Sequence, residues 1–371
     1  MSALKSRTEP IEEPVEEQKF EGSIELSEPM HRKTLSPAVR WGIVIGSALV
    51  ALGVLLAFFS FNIVGFIALA AVIYSVTIYV ASRVVEGARY ATDRLVTAVV
   101  TSFFLLALLP LVSVILTVVT KGVARLDPEF FTASMRGVVG EGGGIYHALI
   151  GTLLVTLLAS IISIPVGLLA AIYLVEYGNK NRLARGLTFF VDVMTGIPSI
   201  VAGLFAAALF TLFLGPGFKA AIVGAVALTV LMIPVVVRST EEMLRLVPHE
   251  LREASYALGV PKWLTIVKVV LPTSIAGIVT GITLAIARVI GETAPLLITV
   301  GATTGMNFNP FDGRMMTLPV FAYNSYASPG VDKVPYMERM WSAALVLIII
   351  VMVLNVIARL ISKYFAPKSG R

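Results

Sequence analysis

EEMLRLVPHELREASYALGVPKWLTIVKVVLP, Glu241 to Pro272, is the stretch from which the fold is read. It lies between two long apolar runs and carries charges of both signs, so it belongs at a membrane surface and not inside a bilayer. Leu244, Leu246, Val247, Leu251, Ala254, Tyr256, Ala257 and Leu258 recur at helical spacing and predict an amphipathic helix. Gly259 ends it, because glycine takes the left-handed conformation of a helix C-terminus without steric cost. Pro261 follows, and Trp263, Ile266, Val267 and Val270 open a second helical pattern that enters the next apolar run. The stretch therefore reads as a short helix across one membrane face, a tight turn and a re-entry.

Working outward, apolar segments long enough to span, about 20 residues each, fall at roughly 41–60, 63–82, 95–119, 147–175, 188–214, 219–240, 273–301 and 341–362. They are continuously apolar and do not alternate, which excludes a β-barrel. The class is an all-α polytopic membrane protein of about eight helices, the first two forming a tight hairpin. The composition agrees: 57% of the 371 residues are hydrophobic and 14% are charged. A soluble domain cannot hide that much apolar side chain, whereas lipid can solvate it.

Lys and Arg give the orientation. Arg83, Arg89 and Arg94 precede the third span; Lys180, Arg182 and Arg185 precede the fifth. Arg245, Arg252, Lys262 and Lys268 lie between the sixth and seventh, and Lys363, Lys368 and Arg371 end the chain. With alternating spans these loops share one side, which is then cytoplasmic, with both termini inside a cell-membrane protein. The net charge of +6 is explained by loops held against anionic lipid, and no nucleic-acid partner is expected. Residues 1–38 are rich in Glu, Pro and Ser and read as a disordered cytoplasmic tail, not a secretory signal.

The absence of cysteine excludes disulfides and thiolate metal sites, and His31, His147 and His249 are too dispersed for a zinc site. No GxxxxGK[ST] motif occurs, so the chain itself is not expected to bind ATP, and no cofactor or metal is expected. An intramembrane protease would need a Ser–His or paired-Asp constellation at membrane depth, and none is evident. Pro165 and Pro198 mark helix kinks. Arg288 sits within an apolar span, where a guanidinium costs a few kcal/mol and so requires polar surroundings and a partner. Glu292, four residues on, is placed on the same helical face. Arg238, at the cytoplasmic end of the sixth span, has Glu241 three residues on. The planar fork of arginine suits oxyanions, because it gives two parallel charge-assisted hydrogen bonds.

Glu253-Ala254-Ser255, Gly259, Val269 and Leu271-Pro272 together resemble the EAA loop of type I ABC-importer permeases, with Ser255 and Val269 in place of the commoner Ala and Ile. From about Asp93 to Tyr323 the chain is similar to the PstA family, one of the two permease families of bacterial phosphate transport systems. The similarity rests on GGGIYHALIGTLLVTLLASIISIPVGLLAAIYLVEYG (142–178), DVMTGIPSIVAGLF (192–205), PVVVRSTEEML (234–244) and ARVIGETAPLLITVGA (287–302). The resemblance implies a type I importer permease fold with two extra N-terminal helices. It implies that Glu253, Ala254, Leu258 and Gly259 couple to an ATPase, and that Arg238, Glu241, Arg288 and Glu292 line the substrate pathway. It also implies a second permease subunit (PstC-like), an ATPase dimer (PstB-like), an extracytoplasmic phosphate-binding protein (PstS-like), surrounding lipid, and phosphate as cargo. Sulfate, molybdate or phosphonate is the alternative cargo. The expected organisation is a tail at 1–38, an additional hairpin at 39–90 and a permease domain at 91–365 with its coupling loop at 241–272.

Overall fold

The computed structural model describes residues 34–58, 61–178 and 181–365. The tail expected at 1–38 lies largely outside this range, as do Lys180, Lys368 and Arg371. Among the described residues the structure is helical without strands, and seven helices are long and apolar enough to cross a membrane, or eight if one bent pair counts as a span. The chain divides into two compact units, the first ending at Leu111.

The first unit holds α1 (Pro37–Phe58), α2 (Ile63–Val85) and the start of α3 (Ala88–Gly122). Asn62 caps α2, its side-chain oxygen accepting from the Val64 N–H at 2.9 Å. Few residues here are buried: Leu35, Ile78 and Ala98 form a small core, and Leu49, Leu56, Val72, Phe103 and Phe104 stay exposed. That is the surface expected of helices solvated by lipid.

The α2–α3 turn is organised by Glu86, which accepts from Ser82 Oγ at 2.6 Å and from the Leu35 N–H at 2.8 Å, with Arg94 at 3.5 Å. The Ser82 hydrogen bond, followed by the Leu35 N–H and Arg94, holds the Glu86 carboxyl below its ordinary value of 4.5 against the opposing cost of burial. A depressed carboxylate stabilises the fold above its unfolded pKa and loses that contribution as pH falls through its folded one. Glu86→Gln is therefore expected to flatten the acid limb of the stability–pH curve below about pH 4.5, as measured by thermal unfolding of the detergent-solubilised protein.

The second unit contains the rest of α3, a 3₁₀ turn (Val123–Arg125), α4 (Pro128–Thr132), α5 (Tyr146–Ile172, extended by a π turn at Tyr173–Tyr177), α6 (Arg182–Thr195) and α7 (Ser199–Leu214). It continues through α8 (Ala221–Arg245), α9 (His249–Ala257), α10 (Lys262–Thr265), a second π turn (Ile266–Val270), α11 (Leu271–Ile290), α12 (Ala294–Thr299), α13 (Leu318–Ala327) and α14 (Lys333–Phe365). α8 is the hub, 67% of its most apolar window being buried. It packs against α5, α7 and α11, and α14 closes on α11 and α13. Small residues permit the close approach: a Cβ on Gly167 would stand 2.7 Å from Val236 Cγ1, and one on Gly203 2.6 Å from Pro295 Cα.

Two expected spans are broken. The run at 188–214 is α6 and α7, bent by 109°. Gly196 caps α6, and Pro198 disfavours the helical conformation of Ile197 before it. The run at 273–301 stops at Ile290, with Gly291 as its cap, and α12 follows separately. Pro295 lacks the N–H that would bond back to Gly291, and its ring would clash with that carbonyl. Pro165, by contrast, is accommodated within α5.

Candidate functional site

The amphipathic run read over 244–258 is shorter as a helix. α8 ends at Arg245, Pro248 interrupts the chain with φ −57 and ψ 143, and α9 begins at His249. The proline also disfavours the helical conformation of Val247 ahead of it. Gly259 stops α9 as expected, at φ +76. The Gly259 N–H bonds to the Tyr256 carbonyl at 2.9 Å and the Val260 N–H to the Ser255 carbonyl at 3.2 Å, the paired bonds of a Schellman motif.

α9 turns two polar side chains inward and leaves both polar and apolar ones outside. Its inward residues are Arg252 and Ser255, while Leu246, Leu251, Tyr256, Leu258 and Trp263 are exposed around it, Leu258 at 83%. Glu253, Ala254 and Gly259 are exposed as well. The inner face is held by hydrogen bonds. Arg252 donates to Glu176 Oε1 through Nε at 3.1 Å and Nη2 at 2.8 Å, and to the carbonyls of Val247 at 2.6 Å and Leu244 at 2.9 Å. Ser255 and Thr265 share a hydroxyl hydrogen bond of 2.8 Å across the glycine turn. Glu176 lies in the π turn that ends α5, so one buried ion pair ties α9 to a long helix. Apolar side chains left outside on such an element mark a surface for a protein partner or for lipid.

Arg238 pairs with Glu241 at 2.8 Å, as its spacing suggested, and also with Asp192 on α6. Arg245 meets the other oxygen of Glu241. Glu241 is buried and Arg238 half-buried, forming a chain of alternating charge at one end of α6 and α8. Sequence spacing did not single out Asp192, because 46 residues separate it from Arg238. The expected Arg288–Glu292 pair does not form. Since α11 ends at Ile290, Glu292 lies beyond the helix, off any shared face. Among the described residues neither side chain has an ion-pair or hydrogen-bond partner, and Arg288 is exposed.

Residues 163–371 match the family described as binding-protein-dependent transport system inner membrane component. The phosphate transport system permease protein PstA 1 of Mycobacterium tuberculosis is 48% identical over 285 residues, covering 75% of this chain and 91% of that protein. PstA of Mycobacterium leprae is 50% identical over 257 residues, 68% of this chain and 82% of that one. PstA of Yersinia pestis is 36% identical over 293 residues, 79% and 96% respectively. Among solved structures, an inward-facing conformation of the MetNI methionine ABC transporter has a TM-score of 0.48 at 21% identity, covering 65% of this chain and 100% of that one.

Proposed function

The chain belongs to the family of binding-protein-dependent transport system inner membrane components, and on that premise we propose that it carries phosphate across the membrane as a permease subunit of an ATP-driven importer. It is a multi-pass membrane protein and a pore subunit, not a catalytic one. One observation carries the cargo: relatives between 36% and 50% identical over most of their length are phosphate permeases. Phosphate is therefore favoured over sulfate, molybdate or phosphonate.

In this reading a second permease subunit completes the pathway, an ATPase dimer docks on α9, and an extracytoplasmic binding protein delivers the anion. The exposed apolar surface around Leu258 and Trp263 supports the docking. The basic loops support a cytoplasmic side for α9 and for both termini. Residues 39–90 act as an added hairpin before a permease domain at 91–365. Glu253, Ala254, Leu258 and Gly259 form the coupling contact. Arg238, Glu241, Arg288 and Glu292 line the pathway, with Asp192 joining Arg238. Carboxylates beside Arg238 weaken its grip on a passing anion, which favours release. Arg288, left exposed by this chain, takes its polar surroundings from the second permease subunit.

The test is reconstitution of the chain with its co-expressed neighbours in proteoliposomes. ATP hydrolysis should rise with phosphate-loaded binding protein, and labelled phosphate uptake should resist competition by sulfate. Arg238→Gln should cut uptake about tenfold, the worth of one charge-assisted hydrogen bond, with the complex still assembled. A chain that never co-purifies with an ATPase would overturn the reading.

A further inference from the structure

In the first unit a recess of about 330 Å³ opens where α1 begins, lined by Pro37, Arg40, Trp41, Val44 and Tyr74. The first four stand at helical spacing and share one face of α1, and Tyr74 approaches from α2. Arg40 lies in the first turn of this membrane-spanning helix, the level at which lipid headgroups lie. An arginine there ordinarily snorkels its head into water. Arg40 is instead half-buried, with its Nε closed off from solvent and without a hydrogen-bond partner.

No carboxylate answers this charge. Among the described residues of the first unit, Glu86 and Asp93 are the only acids, set against Arg40, Arg83, Arg89 and Arg94. Glu86 is committed to Ser82, the Leu35 N–H and Arg94, and Asp93 makes no ion pair. Among the described residues the Arg40 guanidinium has no ion-pair or hydrogen-bond partner, and the Tyr74 hydroxyl makes no hydrogen bond. A guanidinium and a phenol therefore line one recess with their donors unused, where buried polar groups are ordinarily satisfied.

We propose that this recess binds an anionic phospholipid, its phosphodiester held by Arg40 and Tyr74 and an acyl chain lying along Val44. The planar guanidinium gives a phosphate two parallel charge-assisted hydrogen bonds, and the phenol adds a donor. Trp41, 66% exposed, supplies an amphipathic ring of the kind that settles at the headgroup level. The lining decides between sources of phosphate. Pro37, Val44 and the Trp41 ring reward a ligand with a hydrocarbon part and offer nothing to the free anion. Because no carboxylate offsets Arg40, a headgroup of net negative charge is preferred to a zwitterionic one. The site requires only that α1 spans the membrane and is independent of the cargo.

The chain contains three tryptophans, so Trp263→Phe with Trp341→Phe leaves Trp41 as the sole emitter. The test places this full-length variant in phosphatidylcholine nanodiscs that carry brominated lipid, which quenches tryptophan on contact. Brominated phosphatidylglycerol should quench Trp41 at about fivefold lower mole fraction than brominated phosphatidylcholine, the worth of one arginine near a membrane surface. Adding Arg40→Gln should abolish the preference, while adding Arg89→Gln, at an exposed arginine of the same unit, should leave it unchanged. Most of the preference should survive about 1 M salt, where the Debye length is about 3 Å, because a half-buried contact is poorly screened. Equal quenching by the two lipids overturns the proposal. So do equal losses in the two arginine variants or loss of the preference in salt, either of which shows diffuse attraction only. Relief of quenching by inorganic phosphate would make the ligand a soluble oxyanion. A rise in quenching on removal of residues 1–33 would make the glutamate-rich tail the occupant. Either result also overturns the proposal.

Discussion

Glu176→Leu is expected to destabilise the protein by about 3–5 kcal/mol, the cost of leaving one member of a buried ion pair without its counter-charge. The Glu176 and Arg252 side chains are 5% and 10% exposed. The guanidinium keeps the carbonyls of Leu244 and Val247, which satisfy its N–H groups but do not neutralise it. Replacing both members, in Glu176→Leu with Arg252→Met, should recover most of the loss, since an apolar pair of similar size removes the stranded charge. Chemical unfolding in mixed micelles measures both variants. A single-variant loss below about 1 kcal/mol, the range of an exposed pair, would show that the pair is not buried in the working protein. Under the proposed function the pair also has a mechanical role. It fixes α9 to the end of α5, so the assembled single variant should hydrolyse ATP without a matching rate of uptake.

The second large effect is expected at Gly151. A Cβ there would overlap the Met316 carbonyl oxygen and stand 2.9 Å from Met315 Cγ. The obstacle is backbone, and it is pinned close by, where Thr152 Oγ1 accepts the Leu318 N–H at 2.7 Å. The segment therefore cannot yield as a flexible side chain would. Gly151→Ala should cost about 3 kcal/mol, the upper end for overpacking. Gly53→Ala in α1 is the matched control. Nothing lies within 4 Å of its added Cβ, so it should be neutral or stabilise by about 0.5–1 kcal/mol through helix propensity. Equal losses at the two sites would contradict the packing described here.

Much of the fold was legible in the residues alone. Lipid-solvated helices announce themselves by unbroken apolar runs, and the glycine after Leu258 signalled the end of α9 through its conformational freedom. The Arg238–Glu241 pair followed from helical spacing, because residues three apart share a face. The same rule failed for Arg288 and Glu292. It assumes a continuous helix, and the chain breaks between them where Pro295 cannot bond back to Gly291. At 196–198 the apolar run likewise concealed a 109° bend, since hydropathy sums side-chain character and is blind to chain direction.

The sequence by itself determined the class of solvent around this protein, the helical type of its elements, and the exposed turn at Gly259, because each depends on the chemistry of neighbouring residues. Only the tertiary structure decided which charges meet. Arg252 finds Glu176 across 76 residues and Arg238 finds Asp192 across 46. It also decided that Arg252 and Ser255 of α9 turn inward. Such pairings are set by how helices stack, and helix stacking depends on surfaces assembled from distant parts of the chain.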